Sequence, residues 1–366
     1  MLKRLEVANY RSLKDVVVGF KKFNVLVGLN ASGKSNILDC FALLSESLTF
    51  FHNLSPLFDR RGSFQHVVFQ GDDCGAPPHH PASPTRAYFT MKANFYDGHA
   101  YEYYLKCVKG NVEERWLKVN GNTLISEHQG SGKYLSKEGK EEKFTVSWKD
   151  LVNTVSNDFA LRYMSKWRSY SFLTPQIRRT LPAKKRFVLE WDGSNLAQVL
   201  LSLKTERPKT FTAIEDILKL AIPEVEELLT PLTEEGQTYV AVREKGFRDA
   251  FDYHQLSDGT LRLLAYITAL NLDADLLCFE EPENFVHPQL LRLLVEILKK
   301  SDKQAILSTH SPYFMDFVEP EDLIIVEKEE GKTKVRRIEE EEEKKRIKAL
   351  LEEGIPLGEA YYSGAI

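Results

Sequence analysis

The sequence predicts an α/β protein with an antiparallel β portion in its first half and a mainly helical portion near its middle. Three observations predict it. The apolar run KKFNVLVG passes into the glycine-rich GLNASGKS, and short aromatic and β-branched runs between residues 88 and 145 are separated by DG, GN and NG pairs. The last third alternates apolar strands with helical periods, as an α/β core does.

Taken in order, LEVANYRSL and VVVGF read as strands, KKFNVLVG as a third, and SNILDCFALLSESL as a helix. Residues 71–85, GDDCGAPPHHPASPT, are rich in Pro, Gly and small polar types and predict an exposed loop, whose His79 and His80 have no carboxylate or cysteine at ligand spacing. The hairpin signals place an antiparallel sheet over 86–147. A mainly helical insertion is expected over 148–230, with one helix across 148–168 and another after the DGSN turn at 192–195, where Phe211, Ile214, Leu218 and Ala221 bury one face and Pro223 ends it. TYVAVRE returns to a strand period, and 255–330 alternates strands and helices. EEEEEKKR, 339–346, has the composition of a solvated helix with i,i+4 charge pairs. The whole of 1–366 is expected to form one large unit with these parts.

Composition excludes several classes. No apolar run approaches bilayer length, and the start MLKRLEVANYRSL has no apolar stretch leading to a cleavage site, so neither a membrane span nor a secretory signal is expected. Cys40, Cys74, Cys107 and Cys278 form no CxxC pair, which argues against zinc or a disulfide framework and suits a reducing cytoplasm. The net charge of -4 supplies no nucleic-acid affinity by itself.

The strongest chemical signal is GLNASGKS, residues 28–35, a GxxxxGK[ST] loop between a predicted strand and a predicted helix. Glycines let backbone wrap a phosphate, the helix start aims N–H groups at it, and Lys34 neutralises the β and γ oxygens of ATP while Ser35 holds Mg²⁺. Asn30, Ala31, Ser32, Gly33, Lys34, Ser35 and Asn36 are therefore the candidate nucleotide contacts. LLCFEEPEN delivers Glu280 and Glu281 at a strand end, where adjacent side chains diverge, so one carboxylate can serve the metal while the other polarises a water. LSDGT, 256–260, reads alone as a helix N-cap and STHSP, 308–312, as a loop histidine, but their order around the paired acids suggests more.

These motifs together resemble the RecF, SMC and OLD branch of ABC ATPases, and more narrowly the compact predicted ATPases grouped as AAA_21. ANYRSLKD, GLNASGKSNILD, LEWDGSNLAQVL, LSDGT, FEEPENFVHP, STHSPYFMD and the closing LGEAYYSGAI carry the resemblance over nearly the whole length. It implies an ABC head with an N-terminal antiparallel β subdomain and a helical signature subdomain. It further implies that Ser257 and Gly259 act in trans on the partner's γ-phosphate, that Glu280 takes the Walker B position, that Glu281 is the general base and that His310 is the switch histidine. Gln70, after the expected strand VVF and before Gly71, resembles the metal-binding Q-loop glutamine, although Gln65 is also available. Arg11 matches an arginine near the nucleotide in relatives or is ordinary surface charge. Asn284 and His287 fall at the D-loop, while His287-Pro288 also reads as helix-start chemistry. The sequence departs from the pattern in Glu280 for aspartate, in Asp258 and Thr260 within the signature, and in lacking a long coiled coil.

The resemblance implies a homodimer formed head to tail on two ATP. The expected role is DNA-linked, in phage defence or genome maintenance, with an effector such as a nuclease in trans, because the 56 residues after His310 leave no room for a Toprim domain. A RecF-like DNA-binding clamp is the alternative, through Lys166, Trp167, Arg168, Arg178, Arg179, Lys184, Lys185 and Arg186 with Tyr170 and Phe172 stacking on bases. A nucleotide-controlled interaction protein with negligible hydrolysis is another, against which Glu281 argues.

Overall fold

The computed structural model describes residues 1–70, 88–151, 153–155, 159–284 and 287–365, so Cys74 and the 71–85 stretch with His79 and His80 lie outside the described residues. The chain divides into two compact units: Met1–Trp167 with Glu321–Glu341, and Arg168–Pro320 with Glu342–Ile366.

The first unit is built on an eight-stranded antiparallel sheet. It takes β1 (Leu2–Tyr10), β2 (Leu13–Gly19), β4 (Tyr88–Tyr96), β5 (Ala100–Val108), β6 (Asn111–Val119), β7 (Asn122–His128), β8 (Ser131–Leu135) and β9 (Glu141–Phe144) in the order β2-β1-β4-β5-β6-β7-β8-β9. Alternate residues of β4 and β5 are buried, the period-2 pattern that fixes a half-buried strand's register. The β6–β7 turn has Asn120 at φ 48 and Gly121 at φ 83, the left-handed pair that a two-residue hairpin requires. Under the sheet, Arg115 lies wholly buried, paired with Glu127, accepted by the carbonyls of Ser47, Phe50 and Phe51, and stacked 4.4 Å over the Trp148 ring.

In the same unit β3 (Phe23–Val27) is buried along its whole length and pairs in parallel with Leu323–Glu329, Val25 facing Leu323 and Val27 facing Ile325. A strand buried on both faces reads as a nearly continuous apolar run, as FNVLV does apart from the buried Asn24. Helix α1 (Lys34–Ser47) follows the loop and buries Ile37, Leu38, Cys40, Phe41, Leu43 and Leu44.

The second unit holds the parallel pair Leu276–Glu280 and Gln304–Thr309, with Glu280 opposite Ser308 at the carboxyl end. Helix Asp258–Asn271 is buried from Leu261 to Leu270, and helix Pro288–Lys300 buries only Leu291, Leu294, Val295 and Leu298. Pro208–Ala221 buries Phe211, Ile214 and Leu218.

Two expectations are corrected. In place of one helix over 148–168 stand a 3₁₀ turn Trp148–Leu151, a helix Phe159–Ser165 and a strand Trp167–Tyr170. Aromatic packing outweighs the helical period there: Trp167 meets the Phe41, Tyr163 and Phe95 rings, and Tyr170 stacks on Phe172 and Phe279. VVF before Gln70 is no strand; Val67 closes the short helix Phe64–Val67, and Val68 makes a single bridge to Tyr10.

Candidate functional site

In the first unit, β3 ends at Gly28, where an added Cβ would stand 2.1 Å from the Val326 carbonyl oxygen, so no side chain fits. The loop then passes through Ala31 at φ 62 and Gly33 at φ 114, and a Cβ on Gly33 would meet the Thr333 hydroxyl at 2.1 Å. Gly33 is the N-cap of α1 and offers no side-chain cap, which leaves the first-turn N–H groups directed out of the helix. The buried Ser32 hydroxyl has no hydrogen-bond partner. The Lys34 ammonium donates to the carbonyls of Gly28 and Leu29 at 2.7 and 2.9 Å, holding its charge against the loop. A chain of phosphates fits this cradle: the uncapped N–H groups, an orphaned hydroxyl and a cation are the donors an anion needs.

A chain of hydroxyls braces the loop. Thr333 Oγ1 donates to the Ser32 carbonyl at 2.8 Å, Ser12 Oγ meets Thr333 Oγ1 at 2.7 Å, and Asn36 Nδ2 donates to Ser12 Oγ at 2.7 Å. Beside it, Asp39 pairs with Arg11 and Arg61 at 2.9 and 2.8 Å and accepts the Tyr10 hydroxyl at 2.6 Å. Burial works to raise the Asp39 carboxyl, but the charge and hydrogen bond of Arg61, with Arg11 and Tyr10, hold it below the ordinary carboxylate value. NYRS and SNILD are thus two halves of one clasp. Arg11 thus pairs with Asp39 and the Asn36 amide is directed at Ser12 beside the loop.

In the second unit, the chain leaves strand Leu276–Glu280 through Glu281 at φ 44, a left-handed turn costing about 1–3 kcal/mol in a non-glycine residue. Three contacts hold it. Its N–H donates to the Ser308 carbonyl at 2.9 Å, Asn284 Nδ2 donates to its Oε2 at 2.9 Å, and His310 Nδ1 lies 3.0 Å from its Oε1. With Nδ1–H donating to the carboxylate, the imidazole keeps Nε2 for another partner. Arg262, buried on helix Asp258–Asn271, donates to the Glu281 carbonyl at 3.3 Å and so joins that helix to the acid. Glu283 lies beneath; burial pushes its carboxyl up, and the Thr309 hydroxyl donates to it at 2.6 Å.

Ser257 caps helix Asp258–Asn271, accepting from Thr260 N at 3.0 Å, and is itself exposed. Arg178 braces this turn: it donates to the carbonyls of Tyr253 and Leu256 and pairs with Asp258 at 2.6 Å.

An AAA ATPase domain model, AAA_15, matches residues 1–163, and a second, AAA_21, described as an AAA domain, putative AbiEii toxin, Type IV TA system, matches residues 157–316. Among solved structures, an SMC head bound to the C-winged helix domain of ScpA superposes with a TM-score of 0.62 at 18% identity, over 93% of this chain and 99% of that one. An Smc head with an extended coiled coil, bound to the C-terminal domain of ScpA derived from Pyrococcus furiosus, gives 0.61 at 15% identity over 96% and 99%. The chain has the fold of an ABC-type ATPase head. Its first part matches the AAA_15 ATPase domain model and its later part the AAA_21 model. The SMC head of Thermotoga maritima gives 0.50 at 17% identity over 93% and 99%. Below 20% identity these likenesses are of fold alone. The ribosome protection protein VmlR of Bacillus subtilis (strain 168) is 32% identical over 99 residues, 27% of this chain, and the match spans only 18% of VmlR.

Within the ABC head, other expected residues fall less neatly. Gln70 is exposed and donates to the Gln65 carbonyl at 2.8 Å, and neither glutamine stands on a strand. His287 caps helix Pro288–Lys300 through Gln289 N, the helix-start role. The proposed nucleic-acid cluster comes apart: Trp167, Tyr170 and Phe172 are buried in aromatic packing and cannot stack on bases, Arg178 is engaged by the signature turn, and Lys185 pairs with Glu206. Thr333 and Arg262 were missed, since each acts on a motif from a distant part of the chain and has no local pattern, and Arg178 was read as a nucleic-acid contact rather than as the brace of the Asp258 turn.

Proposed function

We propose that this protein binds and hydrolyses ATP at sites completed by a second copy. Lys34 and the loop from Asn30 to Ser35 hold the phosphates, and Glu281 takes the proton of the attacking water. His310, oriented by its 3.0 Å contact to Glu281, turns its remaining ring nitrogen to the γ-phosphate. The clasp on Glu281 carries this reading: Asn284 and His310 position its two oxygens, and Ser308 and Arg262 hold its backbone in a strained turn. Among the described residues no group of three acidic, His or Cys side chains forms a metal cage, which suits Mg²⁺ arriving with the nucleotide and held by Ser35 and Glu280, with phosphates and waters as its other ligands. The exposure of Ser257 and the position of Gly259 at the start of a 14-residue helix support their acting as donors to a phosphate presented by the partner.

The cycle drives a process on DNA through a separate effector chain. The ABC-head fold shared with SMC heads supports this reading. No described helix is long and apolar enough to cross a membrane.

Lys34→Ala weakens ATP binding by about 10–100-fold, the loss of a charged hydrogen bond. Glu281→Gln binds ATP as wild type does and turns over about 10²–10⁴-fold more slowly. Calorimetry and phosphate release, with and without duplex DNA, check both. Equal affinity in wild type and Lys34→Ala removes the phosphate-loop assignment, equal turnover in Glu281→Gln removes the base, and turnover indifferent to DNA counts against the DNA link.

A further inference from the structure

The sequence motif with no role so far is the closing LGEAYYSG. In the fold it is helix Leu357–Tyr362, and it sits on the segment that follows His310. The Tyr362 hydroxyl donates to the His310 backbone carbonyl. Gly358 N donates to Asp316 Oδ1 at 2.9 Å, and a Cβ at Gly358 would stand 2.2 Å from the Pro312 carbonyl oxygen. Only glycine lets the two helices come this close. Leu357 and Ala360 are buried, whereas the preceding helix Glu341–Glu352 buries Ile347 alone. The closing helix is therefore held by its own contacts with the His310 segment.

We propose that helix Leu357–Tyr362 is a positioning element for the switch histidine: Gly358 seats it on Pro312, and Tyr362 fixes the His310 main chain so that the imidazole meets Glu281. The segment needs such a support. After strand Gln304–Thr309, its other restraints include the Thr309 hydroxyl on Glu283, Ser311 N on Thr309 Oγ1 at 2.9 Å, and the Ser311 cap on Phe314 N at 3.4 Å. With Ser311 N held by Thr309 on one edge of the His310–Ser311 peptide, Tyr362 holds its other edge, the His310 carbonyl. Together they anchor the main chain from which the His310 ring reaches Glu281. Displacing the closing helix would then slow the step that Glu281 and His310 carry out without touching the phosphate loop. Tyr362 is a positioning residue, and its kinetic effect rests on the hydrolytic reading given above.

Two measurements on the full chain test it. The nine histidines are resolved by the ring C2–H resonances, His310 being assigned with His310→Ala. Tyr362→Phe, which keeps the ring and removes only the hydroxyl, is expected to shift the His310 resonance and leave the others in place. Gly358→Ala, which pushes the helix off Pro312, is expected to do the same. An unmoved His310 resonance in Tyr362→Phe overturns the proposal whatever the ATPase does. In turnover assays Tyr362→Phe is expected to lower kcat about tenfold with the ATP dissociation constant unchanged, and to have no further effect in a His310→Ala background. An equal further loss in that background overturns the proposal. If wild type and Glu281→Gln turn over alike, the hydrolytic reading fails instead, and the resonance still decides the positioning claim.

Discussion

Asp39 shows how much of the nucleotide loop's support rests on single side chains. It stands on α1 just past the loop and is met by Tyr10 and Arg11 from the first hairpin and by Arg61 from further along the chain. Its carboxyl ionises below the ordinary carboxylate value, so the charged form is favoured by folding. The resulting stability is present above the unfolded pKa of about 4 and is lost as pH falls through the lower folded value. Asp39→Asn, which takes the charge from its hydrogen bonds with the two arginines, should lower stability by about 1.5–3 kcal/mol at pH 7. Urea midpoints of the two proteins should converge once the pH drops well below 4. A gap that persists unchanged in acid would show that packing, not the ion pairs, is what the substitution removes. Lys34, Glu281 and His310 were legible in the sequence because chemistry demands those residue types in fixed local order. Thr333 and Arg61 were not, since a lone Thr or Arg acquires meaning only when folding brings it to the loop.

At the scale of elements, the helix Asp258–Asn271 links two motifs that the sequence shows only as neighbours in order. Its cap Ser257 opens the signature turn, and its Arg262 reaches the Glu281 carbonyl. Arg178 secures the start of this helix from outside, with its guanidinium shared among two carbonyls and Asp258. Arg178→Ala should cost about 2 kcal/mol, because it strands these partners part-buried. It should also lower ATP-driven self-association while leaving ATP binding to the single chain intact, as sedimentation and calorimetry would show. Unchanged self-association would leave Arg178 a purely local brace. The hairpins of 88–144 were readable from period-2 alternation and left-handed Asn-Gly turns. The 148–170 stretch was misread because apolar spacing cannot tell a helix face from a strand whose two aromatics are buried on either side of polar residues. Local composition likewise suggested a cationic tract over 166–186, but aromatic burial and ion pairing are decided by tertiary partners, which bury its stacking groups and engage Arg178 at the Asp258 turn.

At the scale of the whole molecule, the account turns on a site shared by two copies. The fold is shared with SMC heads, and Ser257 at the start of helix Asp258–Asn271 is exposed, as the proposed composite site requires. The most direct test is phosphate release from Ser257→Arg and Lys34→Ala, assayed separately and then mixed in equal amounts. Each alone should be inactive: one lacks the signature, the other the phosphate loop. In the mixture, pairing at random makes about half of the dimers mixed, each with one intact site, so activity should return to as much as about a quarter of wild type. A mixture as inactive as its components, with both proteins folded and able to associate, would mean that loop and signature serve the same chain, and would contradict the composite site.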